Sequence, residues 1–410
     1  MRRARELAGQ NAHVSRFTAP PDKALWAFSL ATTISLTGTF IQKVAVGWSV
    51  WDITHATSWL AAASLADLLP TLIVSVPAGA IVDRFRPATT FWLSQIASCA
   101  QAVALCVLAL TNQLTVTSLF VCSIFIGTCN AFTVPARLAY MTLLTPRESY
   151  KKAVVLYSLG GNAAFFVGPL LAGVLISSLG VATAFGANAL TYAPIIVVAA
   201  ILPAGRLARP EGRQGDNVFR QIGDGFTYAM HHRAIKMMLV SFAALACTAR
   251  GIMELAPSIA ATALNGGVGT LSLLMASIAA GALAAGILMS RWQGWQEETM
   301  TSATLLGSAA ALVGYGASGQ IVFALPGATL LGFTLAMNNI FVTSGLQMHA
   351  APEYRGRINS LYNMIFKGGP AIGSGVFGGL AQLTDIRASS VAAALILLLL
   401  LWRIWTGRQG

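Results

Sequence analysis

Apolar stretches of roughly 20 or more residues recur along the whole chain, about the length a helix needs to cross a hydrocarbon layer. Twelve are present: 24–50, 58–82, 88–111, 114–136, 149–178, 181–203, 235–263, 268–290, 299–317, 320–350, 357–383 and 386–406. They are too long for barrel strands and lack period-2 alternation, which excludes a β-barrel. Lipid offers the backbone no hydrogen-bond partners, so helices are the remaining way across. Composition agrees, because 10% charged residues against 56% hydrophobic is far below the roughly 25% charged of soluble domains. The chain reads as an all-α integral membrane protein. Its first apolar stretch is too long for a signal peptide and no small-residue cleavage site follows it, so it reads as a retained helix.

Twelve crossings place both termini on one side of the bilayer. That side receives 22 of the 26 Lys and Arg residues, the other side only Arg387, and Lys43, Arg250 and Lys367 fall inside spans. An excess of basic residues in short loops marks the cytoplasmic side, so both termini are expected there. The +12 net charge then reflects loops facing anionic lipid, and no nucleic-acid partner is implied.

All five cysteines lie inside spans, without a CxxC or a histidine partner, and read as small buried hydrophobes. The histidines, His13, His55, His231, His232 and His349, avoid the middle of every span. No P-loop, HExxH or motif-placed Ser/His/Asp set occurs. No metal, no cofactor and no enzymatic activity are expected.

The longest polar interruption divides the chain into a tail (1–23), a six-helix bundle (24–203), a linker (204–234), a second six-helix bundle (235–406) and a short end (407–410). Within the linker, Val218, Phe219, Ile222, Phe226 and Met230 fall at helical spacing, which fits either an amphipathic surface helix or a solvated tether. The two bundles resemble each other at an offset of about half the chain. "GAIVDR" (79–84) meets "GILMSR" (286–291), Tyr157 meets Tyr362, Gly168 meets Gly373 and Gly173 meets Gly378. Parallel internal repeats with a site between them are a recurring transporter plan.

On these features the chain resembles the major facilitator superfamily, which implies twelve transmembrane helices in two pseudo-symmetric bundles. "GAIVDRFRP" is similar to the superfamily's motif between helices 2 and 3, implying gating roles for Gly79, Asp83 and Arg84, although Arg86 and Pro87 follow Phe85. "GPLLAG" (168–173) resembles the glycine-proline motif of exporters, which adds Gly168 and Pro169. "PEYRGRINSLYNMIFKGGPAIGSGVFGG" (352–379), "GTFIQKVAVGWSVWDIT" and "VPARLAYMTLLTPRE" resemble the branch containing the enterobactin exporter and macrolide efflux pumps. The resemblance implies a monomer in the bacterial inner membrane. The glycines also have a packing role, since small residues let membrane helices approach.

Five ionisable residues lie within spans: Lys43, Asp67, Arg250, Glu254 and Lys367. Charges there are costly and default to function with named partners. Depth along helices 1 and 2 pairs Lys43 with Asp67, and i,i+4 spacing pairs Arg250 with Glu254. Lys43 and Arg250 occupy equivalent repeat positions. Three readings are open. The pairs can be structural; Asp67 or Glu254 can carry a proton, burial and a nearby cation acting oppositely on its pKa; or Lys43, Arg250 and Lys367 can attract an anionic substrate. Helix 4 lacks the internal arginine of many drug/proton antiporters, carrying only Arg137 at its end, so a proton site would have to be built from Asp67 or Glu254.

Further substrate-binding candidates are Gln42, Asn130, Tyr140, Tyr157, Asn338, Asn339 and Tyr362, a set of amides and aromatics that suits a mid-sized organic solute. Trp51 reads as an interfacial anchor. The expected function is a secondary active exporter of a small, anionic, siderophore-like metabolite by alternating access, with protons as candidate coupling partners. Proton-linked multidrug or macrolide efflux, lysolipid translocation and a non-transporting membrane scaffold are the alternatives.

Overall fold

A computed structural model describes residues 21–84, 87–145, 150–202, 218–291, 296–351 and 353–406. The described residues form helices and connecting turns, with no strand among them. The first six long helices are α1 (Pro21–Thr54), α2 (Thr57–Arg84), α3 (Pro87–Leu110), α4 (Val116–Leu144), α5 (Tyr150–Leu179) and α6 (Val181–Ile201). A shorter helix, α7 (Val218–His231), occupies the described part of the linker, and 204–217 lies outside the described residues. The second half contains α8 (233–263), α9 (Val268–Arg291), α10 (297–317), α11 (Ile321–His349), α12 (Arg355–Leu383) and α13 (Ile386–Thr406).

Two of these are irregular. The segment α8 begins as Arg233–Leu245, widens into a π-helical turn at Ala246–Arg250, resumes as Gly251–Glu254 and Ala256–Ser258, and widens again at Ile259–Ala263. Leu255 interrupts it with φ −90° and ψ 12°, and Pro257, just beyond, cannot donate a backbone hydrogen bond. Likewise α10 runs Glu297–Leu312 and ends in the π-helical turn Val313–Ala317.

Nine of the helices among the described residues are long and apolar enough, by length and composition, to cross a membrane. The segment α10 has only 16 residues before its π turn, and α12 carries Arg355, Arg357 and Lys367 among many glycines.

Helix pairing repeats between the halves. In the first half α1 packs on α5, α2 on α4 and α3 on α6; in the second, α8 packs on α12, α9 on α11 and α10 on α13. The halves meet through α2 with α12 and α5 with α9, a set that exchanging the halves maps onto itself. Four of the tight turns opposite the termini use a residue in the left-handed region: His55, Asn112, Gly180 and Asn265. Gly180, with φ +84°, is the sole residue between α5 and α6, where the lack of a Cβ makes that conformation accessible.

The halves touch where small residues let them. A Cβ on Gly173 would stand 1.6 Å from Ser272 Oγ, and one on Gly378 would stand 3.1 Å from the Ala61 Cβ. Thr57 Oγ1 donates to Gly378 O at 3.1 Å. These contacts all lie toward the face opposite the termini. Trp51 belongs there too, 6% exposed in the core cluster shared by both halves, which corrects its reading as an interfacial anchor. The five cysteines are free; Cys129 is buried and the other four are half-buried.

Candidate functional site

Lys43, two thirds along α1, donates from Nζ to Glu254 Oε1 at 2.7 Å. This pairing corrects the expected partners, because it joins the two halves. Depth and i,i+4 spacing identify neighbours within a half but leave open how far each helix is rotated. The lysine side chain is 57% exposed and the glutamate 14%, so a cation in the middle of a span faces accessible space between the halves. Ser64 Oγ, on α2, donates to the other oxygen, Glu254 Oε2, at 3.3 Å. Sequence reasoning missed Ser64, although it lies three residues before Asp67 and so shares its helical face.

Asp67 makes no ion pair within 4.0 Å among the described residues. Its Oδ1 is buried without a hydrogen-bond partner, while Lys43, Glu254 and Lys367 are the charges that act on it. Its backbone carbonyl accepts from Thr71 Oγ1 at 3.0 Å and sits where Gly127 of α4 leaves room, since a Cβ there would be 2.1 Å away. Lys367, on α12, is exposed.

Arg250 closes the first π turn of α8. Its guanidinium carbon lies 4.1 Å from the centroid of the Phe366 ring rather than against Glu254, a cation–π placement. Phe366 stacks toward Phe242, and Phe242 stacks on Tyr362 at 4.7 Å between centroids. The Tyr362 hydroxyl donates to Asn339 Oδ1. The one charged group in this aromatic column is Arg250.

Three other candidates turn into the packing. Gln42 is 6% exposed and sits in an amide ladder: its Nε2 donates to Gln101 Oε1 at 3.1 Å and its Oε1 accepts from Asn188 Nδ2 at 2.7 Å. Tyr140 is fully buried, stacked on Phe91, with its hydroxyl donating to Leu202 O at 2.8 Å. Asn338 is 1% exposed and donates to Thr304 Oγ1 at 3.2 Å. In membrane interiors such groups join helices, and helix hydropathy that is even all round does not separate that role from cavity lining. Asn130 is half-buried on α4, and Tyr157 packs against the first-half core.

Among the gating candidates, Gly168 meets α1 closely: a Cβ there would stand 2.5 Å from the Phe40 Cβ. Pro169 is buried beside it. Gly79, Asp83 and Arg84 lie in the last turns of α2, and the Asp83 and Arg84 side chains are outside the described ones. Toward the termini, His349 Nε2 lies 2.7 Å from Glu297 Oε1. His231 and His232 line a crevice of about 460 Å³ with Glu297 and Glu298.

Two pseudo-symmetric helical bundles with charges meeting between them define a membrane transporter of the major facilitator plan. The chain belongs to the transmembrane secretion effector family, whose pattern matches residues 15–406. Across 402 residues it is 24% identical to the Enterobactin exporter EntS of Citrobacter koseri, covering 94% of each chain. It is 28% identical over 167 residues to the Staphyloferrin A transporter of Staphylococcus aureus, a match spanning 40% of this chain and 42% of that protein. Among solved structures it is similar to a bacterial homologue of the human lysosomal transporter Spinster in an inward-facing, unoccupied conformation, with a TM-score of 0.69, 15% identity and coverage of 93% and 96%. A POT family transporter in complex with a thioalcohol-conjugated peptide matches with a TM-score of 0.73, 10% identity and coverage of 94% and 96%. These two likenesses concern the fold. The protein is a multi-pass membrane transporter, not an enzyme.

Proposed function

We propose that this transporter is a secondary active exporter of a small organic anion, a siderophore-like metabolite, working by alternating access across the bacterial inner membrane with both termini in the cytoplasm. The observation that carries the reading is Lys43: a cation mid-span, 57% exposed, whose counter-ion belongs to the other half. An anion entering the space in front of it competes with Glu254 for the ammonium, so binding is linked to the contact that holds the halves together. Lys43, Arg250 and Lys367 against Asp67 and Glu254 leave one positive charge in excess. The names of the relatives, exporter of enterobactin and transporter of staphyloferrin A, favour the siderophore class over macrolides or lipids.

In this reading α1 to α13, less α7, supply twelve spans, and the solute site lies between Lys43, Lys367 and the Arg250 column, with Asn130, Asn339 and Tyr362 nearby. Asp67 is the acid that takes up a coupling proton, because its Oδ1 lacks a donor while Glu254 is engaged. The protein acts as a monomer, since each half supplies one side of the site.

The test is flux in proteoliposomes holding a pH dye, with siderophores, other anionic metabolites and cationic drugs offered in turn. Proton movement driven only by anions, and lost in Lys43→Gln, is the expected outcome. Movement driven by cationic drugs and surviving Lys43→Gln overturns the reading.

A further inference from the structure

Two features of the interior stand without a partner of the ordinary kind. Asp67 presents a buried carboxyl oxygen with no donor, and Arg250 lies on an aromatic ring with no carboxylate in ion-pair reach among the described residues. Buried polar atoms are satisfied in most proteins, so an unsatisfied one calls for an explanation. Both groups sit beside the one interior ion pair among the described residues, and each shares a half with a member of it. Asp67 belongs with Lys43; Arg250 is one helical turn from Glu254.

We propose that Asp67 and Arg250 are stand-in counter-ions, and that the interior charges exchange partners as the transporter changes state. In the described state Lys43 and Glu254 hold each other across the interface, next to the close contacts at Thr57, Ala61 and Gly378. When the halves part at that face the two charges separate, because α1 and α8 belong to different bundles. Left alone, each would be an uncompensated charge within the membrane. Instead Lys43 turns to Asp67, and Glu254 takes Arg250, which leaves the Phe366 ring. Phe366 is thus a positioning residue: it holds Arg250 away from Glu254 in the closed form and releases it in the open one. The π turn ending at Arg250 contributes the geometry, since the wider turn displaces that side chain from the register of an unbroken helix.

The exchange rests on alternating access as read above, but not on the identity of the solute. Its test therefore uses the full chain in lipid nanodiscs without any solute, following hydrogen–deuterium exchange of 57–64 and 374–383, the segments that close the face opposite the termini. Arg250→Gln and Asp67→Asn each remove a partner available only in the open form, so exchange in both segments should slow about tenfold, a usual size for coupling between sites. Glu254→Gln removes the cross-half pair and should speed it. Phe366→Leu frees Arg250 and should also speed it, whereas Arg250→Lys keeps the charge and should stay near wild type. Unchanged or faster exchange in Arg250→Gln, with normal protection at 389–397 in α13, overturns the proposal. Should that variant fail to fold, seen as fast exchange at 389–397 as well, Phe366→Leu decides, and unchanged or slower exchange there overturns it. If anion flux proved absent while these shifts were present, the exchange of partners would stand and the substrate reading would fall.

Discussion

Lys43 Nζ and Glu254 Oε1 lie 2.7 Å apart although 211 residues separate them in the chain, and their exposures differ fourfold, 57% against 14%. Removing one is therefore not equivalent to removing the other. Lys43→Gln strands the more enclosed carboxylate and is expected to lower stability by about 2 kcal/mol, while Glu254→Gln leaves a lysine that water can reach and costs under about 1 kcal/mol. The double neutral variant should be closer to wild type than Lys43→Gln. Thermal melts in detergent decide it, and a larger loss for Glu254→Gln contradicts it.

The amide ladder of Gln42, Gln101 and Asn188 predicts a structural phenotype for a residue adjacent to the site. Gln42→Leu leaves two buried amides unsatisfied, with an expected loss of about 2 kcal/mol, while the KM of the folded fraction stays unchanged. A raised KM with full stability would return Gln42 to the site.

Gly373 of α12 faces the wide turn of α8, where an added Cβ would stand 1.7 Å from Cys247 O. Backbone cannot yield as a flexible side chain can, so Gly373→Ala should lower stability by about 3 kcal/mol. Gly375, two residues on, has nothing within 4 Å, and Gly375→Ala should melt with wild type. Equal melting temperatures for the two variants would remove this contact from the packing account.

Tyr228 of α7 stacks on Tyr354 at 4.1 Å between centroids, and its hydroxyl accepts from Ala351 N at 3.2 Å. Arg357 covers the other ring at 5.2 Å. Tyr228→Ala should loosen α7 by about 1 kcal/mol for the ring pair alone, read as several-fold faster hydrogen exchange over 223–231. Unaltered exchange would mean that the opposite, Phe226 face anchors α7.

Helix positions were legible because apolar length is a strong signal in lipid, and the like pairing of helices in the two halves agrees with a repeat of about half the chain. Partners were not. Depth and i,i+4 spacing nominate neighbours inside a half, while Lys43 found Glu254 through the packing of one half on the other, which no local pattern encodes. The same limit explains Gln42, Tyr140 and Asn338: an amide or phenol in an apolar helix reads identically whether it faces a cavity or another helix. Phe366 was invisible as one of 19 phenylalanines, and its contact is seen only with the Arg250 guanidinium above it.

The interruptions of α8 make the two bundles mechanically unequal. The first bundle is cross-braced by its amide ladder, and α1 runs as one continuous rod from Pro21 to Thr54. Its counterpart α8 is divided by two wide turns and a break at Leu255. Under equal loads α8 is expected to yield first at Leu255, the residue that follows the glutamate crossing the interface.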